Sequence, residues 1–325
     1  MRFATQLLSS RAFAQLHNDV STSNLGHAYM LTSSDVGAIE ELALLFACDI
    51  YCKHSLCMED DCADCRKVLS FGHSDVHHIY KNADKKSITV DVISKMIDIS
   101  MLTSYEGSTK MFIVHEADLM LPQAQNKLLK TLEEPTPNVC IVLLVSNPAT
   151  LLSTIKSRVR SIALDYFEPA VIKDMLTGDP KRIAIAVNCA DGSLTRATDI
   201  LGDDVYISQF EKVVQMLCRL KKSKDIALIS SMDIFDKDKI LTTLSIMEIV
   251  MRDFMLINLG DDNLAVSLGI VDEVKDTAST YSIESISVII DKINQARQKL
   301  AVNCITANVI ENLLFSFLEV RYKCQ

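Results

Sequence analysis

"YMLTSSDVGAIEELALLF", residues Tyr29 to Phe46, decides the fold. An apolar run, a polar loop and then apolar residues at helical spacing predict a buried strand, a turn and an amphipathic helix. Many nucleotide-binding α/β proteins open in this way. Their loop is glycine-rich and ends in Lys-Ser or Lys-Thr, so that backbone N–H groups and one ammonium hold phosphates. Here the loop is Thr32-Ser33-Ser34-Asp35-Val36-Gly37, with one glycine, no lysine and one carboxylate. The frame predicts a phosphate site, and the loop lacks the groups to make one.

Outward from this stretch, apolar runs alternate with helical patterns as far as Leu164. The expected strands are Ala28–Leu31, Val76–Tyr80, Met111–Val114, Val139–Val145 and Ser161–Leu164. Amphipathic segments near Ala38–Tyr51, Val90–Leu102 and Pro122–Leu132 separate them, which predicts a parallel sheet flanked by helices. Pro122 suits the first turn of a helix, and Pro135 and Pro137 end it. His77 and His78 are neighbours on an expected strand, so they point to opposite faces and read as structural. After Phe167-Glu168-Pro169 the pattern is helical, compact over Val171–Leu201 and longer beyond Asp204, as in Ile240–Leu259. The expected division is an α/β domain (1–166), a small helical domain (167–204) and a larger helical domain (205–325).

The 325-residue chain carries a net charge of −9, against a protein whose main task is gripping nucleic acid by itself. The basic runs Lys85-Lys86 and Arg219–Lys224 read as solvated ends. No apolar run approaches the ~20 residues that span a membrane. The N-terminus lacks the apolar core of an export signal, so the expected compartment is the cytoplasm. Ten cysteines are then expected as thiols or metal ligands rather than disulfides.

Four of them cluster in "CKHSLCMEDDCADC": Cys52, Cys57, Cys62 and Cys65. Four thiolates in so short a span can close around one tetrahedral metal ion, with zinc favoured and an iron–sulfur cluster using the same ligands. Cys48, His54 and His73 are alternative ligands. A redox Cys-x2-Cys is the competing reading. Glu59, Asp60, Asp61 and Asp64 weigh against it, because nearby negative charge raises thiol pKa values. A site closed by protein ligands is structural, with no open position for catalysis.

The most distinctive segments are "NKLLKTLEEP" at Asn126–Pro135, "IKSRVRSI" at Ile155–Ile162 and "YEGSTKMFIVHEAD" from Tyr105. With weaker support from "CADGSLTRATDIL" and "KLAVNCITANVIENLLF", they resemble the AAA+ clamp-loader family of bacterial DNA polymerase III over nearly the whole chain. The resemblance implies an AAA+ α/β module with a zinc insertion at about 52–65, a helical lid and an all-α collar. Its ATP-hydrolysing branch, gamma and tau, carries a complete phosphate loop, an Asp-Glu pair after the third strand and an arginine in Gly-Ser-Leu-Arg. This chain has "TSSDVG", then His115 before Glu116, then Thr195 in the arginine's place. Three departures in one site imply a frame without hydrolysis.

The resemblance also implies that the family's Ser-Arg-Cys motif corresponds to Ser157, Arg158 and Val159, with Arg158 reaching ATP held by a neighbouring subunit. On the residues alone, Arg158 can equally pair with a nearby carboxylate, and Glu133 and Glu134 read as an exposed helix end without chemistry. The implied partners are gamma/tau-type ATPase subunits and a delta subunit in a hetero-pentamer, with the sliding clamp and primer–template DNA reached through the complex. No activity of the chain alone is expected, only a part in the polymerase holoenzyme, a nucleotidyltransferase complex. The rival expectations are a clamp-loader ATPase with a divergent phosphate loop and a zinc-dependent DNA-binding module.

Overall fold

The computed structural model describes residues 1–52, 62–105, 109–260 and 271–323. The chain divides into two compact units. One is Met1–Phe167 with Ser193–Thr195, and the other is Glu168–Gly192 with Arg196–Gln325.

The first unit opens with helices α1 (Ala4–Leu8) and α2 (Arg11–Ser21), which the sequence reading did not anticipate. Ser10 starts α2 by accepting the Phe13 N–H, an N-cap signal visible in the sequence. The units β1 (Ala28–Thr32), α3 (Val36–Tyr51), α4 (Ala63–Leu69) and β2 (Val76–Ile79) follow. Next come α5 (Val90–Ser100), β3 (Lys110–Val114), α6 (Pro122–Glu133), β4 (Val139–Val145), α7 (Ser153–Lys156) and β5 (Arg160–Ala163). The five expected strands are present as one parallel sheet in the order β2-β3-β4-β1-β5.

Burial explains the order. Every residue of β4, Val-Cys-Ile-Val-Leu-Leu-Val, is buried, as a parallel strand covered on both faces requires. In β5, at the edge, only Ile162 is buried. One face packs Met30, Phe112, Val114, Ile141 and Leu143 with Met96, Leu128 and Ile155 from the helices. On β1, Tyr29 alternates with Met30 and meets Phe46 of α3 edge to face at 5.0 Å. Lys110 is buried, and its ammonium donates to the carbonyls of Ile99, Leu102 and Thr103 at 2.9–3.3 Å. A cation there complements the carboxyl end of α5.

The second unit contains no strand among the described residues. Its helices are α8 (Pro169–Met175), α9 (Pro180–Cys189), α10 (Leu194–Gly202, whose first two residues are counted with the first unit), α11 (Asp204–Arg219) and α12 (Ser223–Ser230). They continue with α13 (Ile240–Asn258), α14 (Val271–Ala278), α15 (Ile283–Ala301) and α16 (Thr306–Lys323). Helix α13 buries Leu244, Met247, Val250 and Phe254, following the three-and-four spacing in its sequence. It also buries Asp253, which accepts a hydrogen bond from the Asn188 amide, and burial pushes this carboxyl up to about 7.

Candidate functional site

The loop between β1 and α3 sits where a phosphate cradle would lie, and an internal carboxylate fills the role of the ligand. Asp35 is the N-cap of α3, with Oδ1 accepting the Ala38 N–H at 3.0 Å. Its Oδ2 accepts the Thr195 N–H at 3.1 Å. The residue is 4 % exposed, so its charge faces the positive end of the helix rather than water. The Ser33 hydroxyl accepts the Asp35 N–H at 3.1 Å, and the Ser33 N–H reaches the Val145 carbonyl at 3.3 Å. Thr195 closes on Gly37 so tightly that a Cβ there would come within 2.5 Å of the threonine Oγ1. Three N–H donors of this loop and first turn, those of Ser33, Asp35 and Ala38, are already bonded inside the protein. The sequence signal for this was Asp35 just before a helical run, the preferred position for a cap.

The acid expected at the end of β3 is replaced by a histidine bridge. His115 is buried, with Nδ1 2.9 Å from Glu40 Oε1 and Nε2 3.1 Å from His78 Nδ1. The Tyr80 ring stacks on it at 4.2 Å. Burial pulls His78 down to about 4, so this imidazole is neutral near pH 7. Glu116, in left-handed backbone geometry, pairs with Lys81. A metal-holding carboxylate is thus replaced by an imidazole, and the remaining acid is in an ion pair. His77, on the opposite face, stacks on Phe112 at 4.9 Å.

Arg158 stands in the turn between α7 and β5. Val159 packs against the core and fixes the turn, while the guanidinium points outward with 37 % of the side chain exposed. Nη1 donates to the Thr154 carbonyl at 3.0 Å and the Ser157 hydroxyl at 3.2 Å. Nη2 pairs with Glu133 Oε1 at 3.0 Å. Its neighbours are committed elsewhere: Arg160 to Asp19 at 2.7 Å, Lys156 to the Pro148 carbonyl at 3.3 Å. The pairing with a carboxylate, an alternative for Arg158 from the residues alone, is therefore present. Glu133 lies on an exposed helix end as expected, and its partner was not foreseen.

Three of the four clustered cysteines meet. The sulfurs of Cys52, Cys62 and Cys65 lie within 4.8 Å of one another, and Cys52 is 4.0 Å from Cys62. Tetrahedral zinc with ~2.3 Å bonds needs sulfurs about 3.8 Å apart, so the donor set fits a metal ion. Cys57 and His54 lie outside the described residues. Cys48 is buried and hydrogen-bonded to Cys65, so it too borders the cluster, and burial pushes its thiol up to about 11. His73 is engaged elsewhere, with Nδ1 accepting the Asp75 N–H at 3.2 Å. Cys62 is drawn down to about 7, chiefly by the Cys65 N–H. Glu59, Asp60 and Asp61, whose charge was expected to raise the thiols, lie outside the described residues. Burial raises Cys65.

Comparison with known proteins adds the following. The family described as DNA polymerase III, delta subunit, matches residues 8–168. The DNA polymerase III subunit delta' of Bacillus subtilis (strain 168) is 25% identical over 321 residues, spanning 96% of this chain and 97% of that protein. The DNA polymerase III subunit tau of Escherichia coli (strain K12) is 24% identical over 246 residues, 71% of this chain and 38% of that protein. A solved gamma subunit-related protein of Thermotoga maritima aligns with TM-score 0.48 at 16% identity, covering 95% of this chain and 99% of that one.

Proposed function

We propose that this chain, which belongs to the delta-prime family of DNA polymerase III clamp-loader subunits, is a subunit that hydrolyses no ATP and acts on its neighbour's site. The observation that carries this reading is Asp35. A phosphate at the N-terminus of α3 would have to displace a buried carboxylate that accepts bonds from both Ala38 and Thr195. Electrostatics and desolvation both oppose that exchange. Among the described residues at the end of β3, His115 stands in the expected carboxylate's place and Glu116 is paired with Lys81.

The AAA+ frame then serves position. Residues 167–204 act as lid and 205–325 as collar, joining this chain to gamma/tau-type ATPase subunits and a delta subunit in a hetero-pentamer. The assembly places the sliding clamp on primed DNA. Arg158 reaches across the subunit boundary to the γ-phosphate held next door, where a permanently charged planar donor stabilises the leaving phosphoryl group. Its exposure and its fixed turn support that role. Cys52, Cys57, Cys62 and Cys65 hold a structural zinc ion that orders the insertion and takes no part in hydrolysis.

The test is ATP turnover by a complex reconstituted from this chain, its ATPase and delta subunits, clamp and primed DNA. Arg158→Ala lowers turnover at the adjacent site about 10³-fold with assembly intact. The isolated chain neither binds nor hydrolyses ATP. Unchanged turnover in the variant removes the trans-acting arginine, and hydrolysis by the isolated chain removes the inactive-loop reading. Elemental analysis of the purified chain checks the zinc.

A further inference from the structure

The bonds of Arg158 fall into two kinds. Those from Nη1, to Thr154 and Ser157, stay within four residues and belong to the turn itself. The ion pair from Nη2 reaches back to Glu133, the last residue of α6. Val159 packs against the core, and the two Nη1 bonds tie the guanidinium to its own turn. Glu133 is 51 % exposed and Arg158 37 % exposed, so solvent and anions reach the pair. A guanidinium edge bonds one oxyanion at a time, and a carboxylate and a phosphate compete for it through the same charge-assisted hydrogen bonds.

We propose that Glu133 is a placeholder for the neighbouring nucleotide's terminal phosphate, holding Arg158 until that phosphate displaces it. This rests on the reading of Arg158 as trans-acting. Only the untethered fraction of Arg158 is competent to meet the nucleotide, so the tether weakens the complex's apparent affinity for ATP by that fraction. At saturating ATP the phosphate has already displaced the carboxylate, and the maximal rate is unaffected. Glu133 is thus a positioning residue that sets the ATP concentration at which the adjacent site engages.

The test uses the reconstituted complex with clamp and primed DNA, carrying the native chain, Glu133→Gln, Arg158→Ala or both. Glu133→Gln lowers the ATP concentration for half-maximal turnover by about two- to fivefold, the range of an exposed ion pair, and leaves kcat unchanged. Added salt shrinks that difference by screening the native pair. The double variant matches Arg158→Ala. A fall in kcat with Glu133→Gln, or an unchanged half-saturating concentration, overturns the placeholder while Arg158→Ala still shows a loss. If Arg158→Ala has native turnover, the trans-acting reading fails first and the placeholder with it.

Discussion

The loop Thr32–Gly37 and the turn Ser157–Val159 are built on opposite principles. In the loop, one carboxylate is buried against a helix end, and its bonds are short, internal and shared with a residue far along the chain. In the turn, one guanidinium is exposed, and its longest-reaching bond goes to a half-exposed glutamate. An interior polar bond is expensive to exchange because both groups must find new partners, whereas at the surface water and ions replace them. The loop holds its carboxylate inside the protein, and the turn presents its charge at the surface.

That contrast can be broken or sharpened by measurement, starting with a carboxylate buried without a helix end. Asp253 is raised from 3.8 to about 7, chiefly by burial, against the pull of Asn188 and Arg252. The folded state therefore holds a proton that the unfolded state releases between about pH 4 and pH 7. Stability falls as pH rises through that window, by on the order of 4 kcal/mol, and is level above it. Asp253→Asn flattens the profile, so the variant gains on the native chain as pH rises. Urea midpoints from pH 4 to 8 give the answer, and a native profile flat over that range would contradict it.

At Asp35, substitution by alanine removes a cap and strands the Thr195 N–H. A loss of about 1–2 kcal/mol is expected, read as a lower melting temperature. A loss under a few tenths would mean that the loop is not held by its carboxylate. Gly37→Ala gives a smaller effect of unusual sign. Alanine normally stabilises a helix over glycine by about 1 kcal/mol. Here the Cβ would meet Thr195 Oγ1 at 2.5 Å, so a net loss of about 1 kcal/mol is expected. Calorimetry that finds stabilisation would show that Thr195 moves aside freely. Glu133→Gln is the smallest, under about 0.5 kcal/mol in urea midpoint, because a surface pair contributes little. A large loss there would make Glu133 structural and collapse the distinction between the two regions.

Much of the α/β unit was legible in the chain. Strands β1 to β5 fall within a residue or so of their expected bounds; in β1, β3 and β4 burial on both faces leaves a continuous apolar signature. Helices α1 and α2 were missed, since an amphipathic segment at a chain end has no neighbouring strand to frame it. The buried Lys110 was also illegible: a lysine reads as surface until three carbonyls converge on it.

By itself, the sequence determined that the phosphate loop has no lysine, that one sheet alternates with helices, that cysteines cluster and that an arginine follows Ser157. These are local facts, fixed by residue type and spacing. Only the tertiary structure decided what each group meets. Asp35 finds Thr195 across 160 positions, and Arg160 finds Asp19 across 141. Arg158 finds Glu133, and Lys110 finds the carbonyls of Ile99, Leu102 and Thr103. Partners of that kind are set by which strands lie adjacent and where their helices return. The chain writes its periodicities locally, but the pairing of charges depends on distances that exist only once the sheet has assembled.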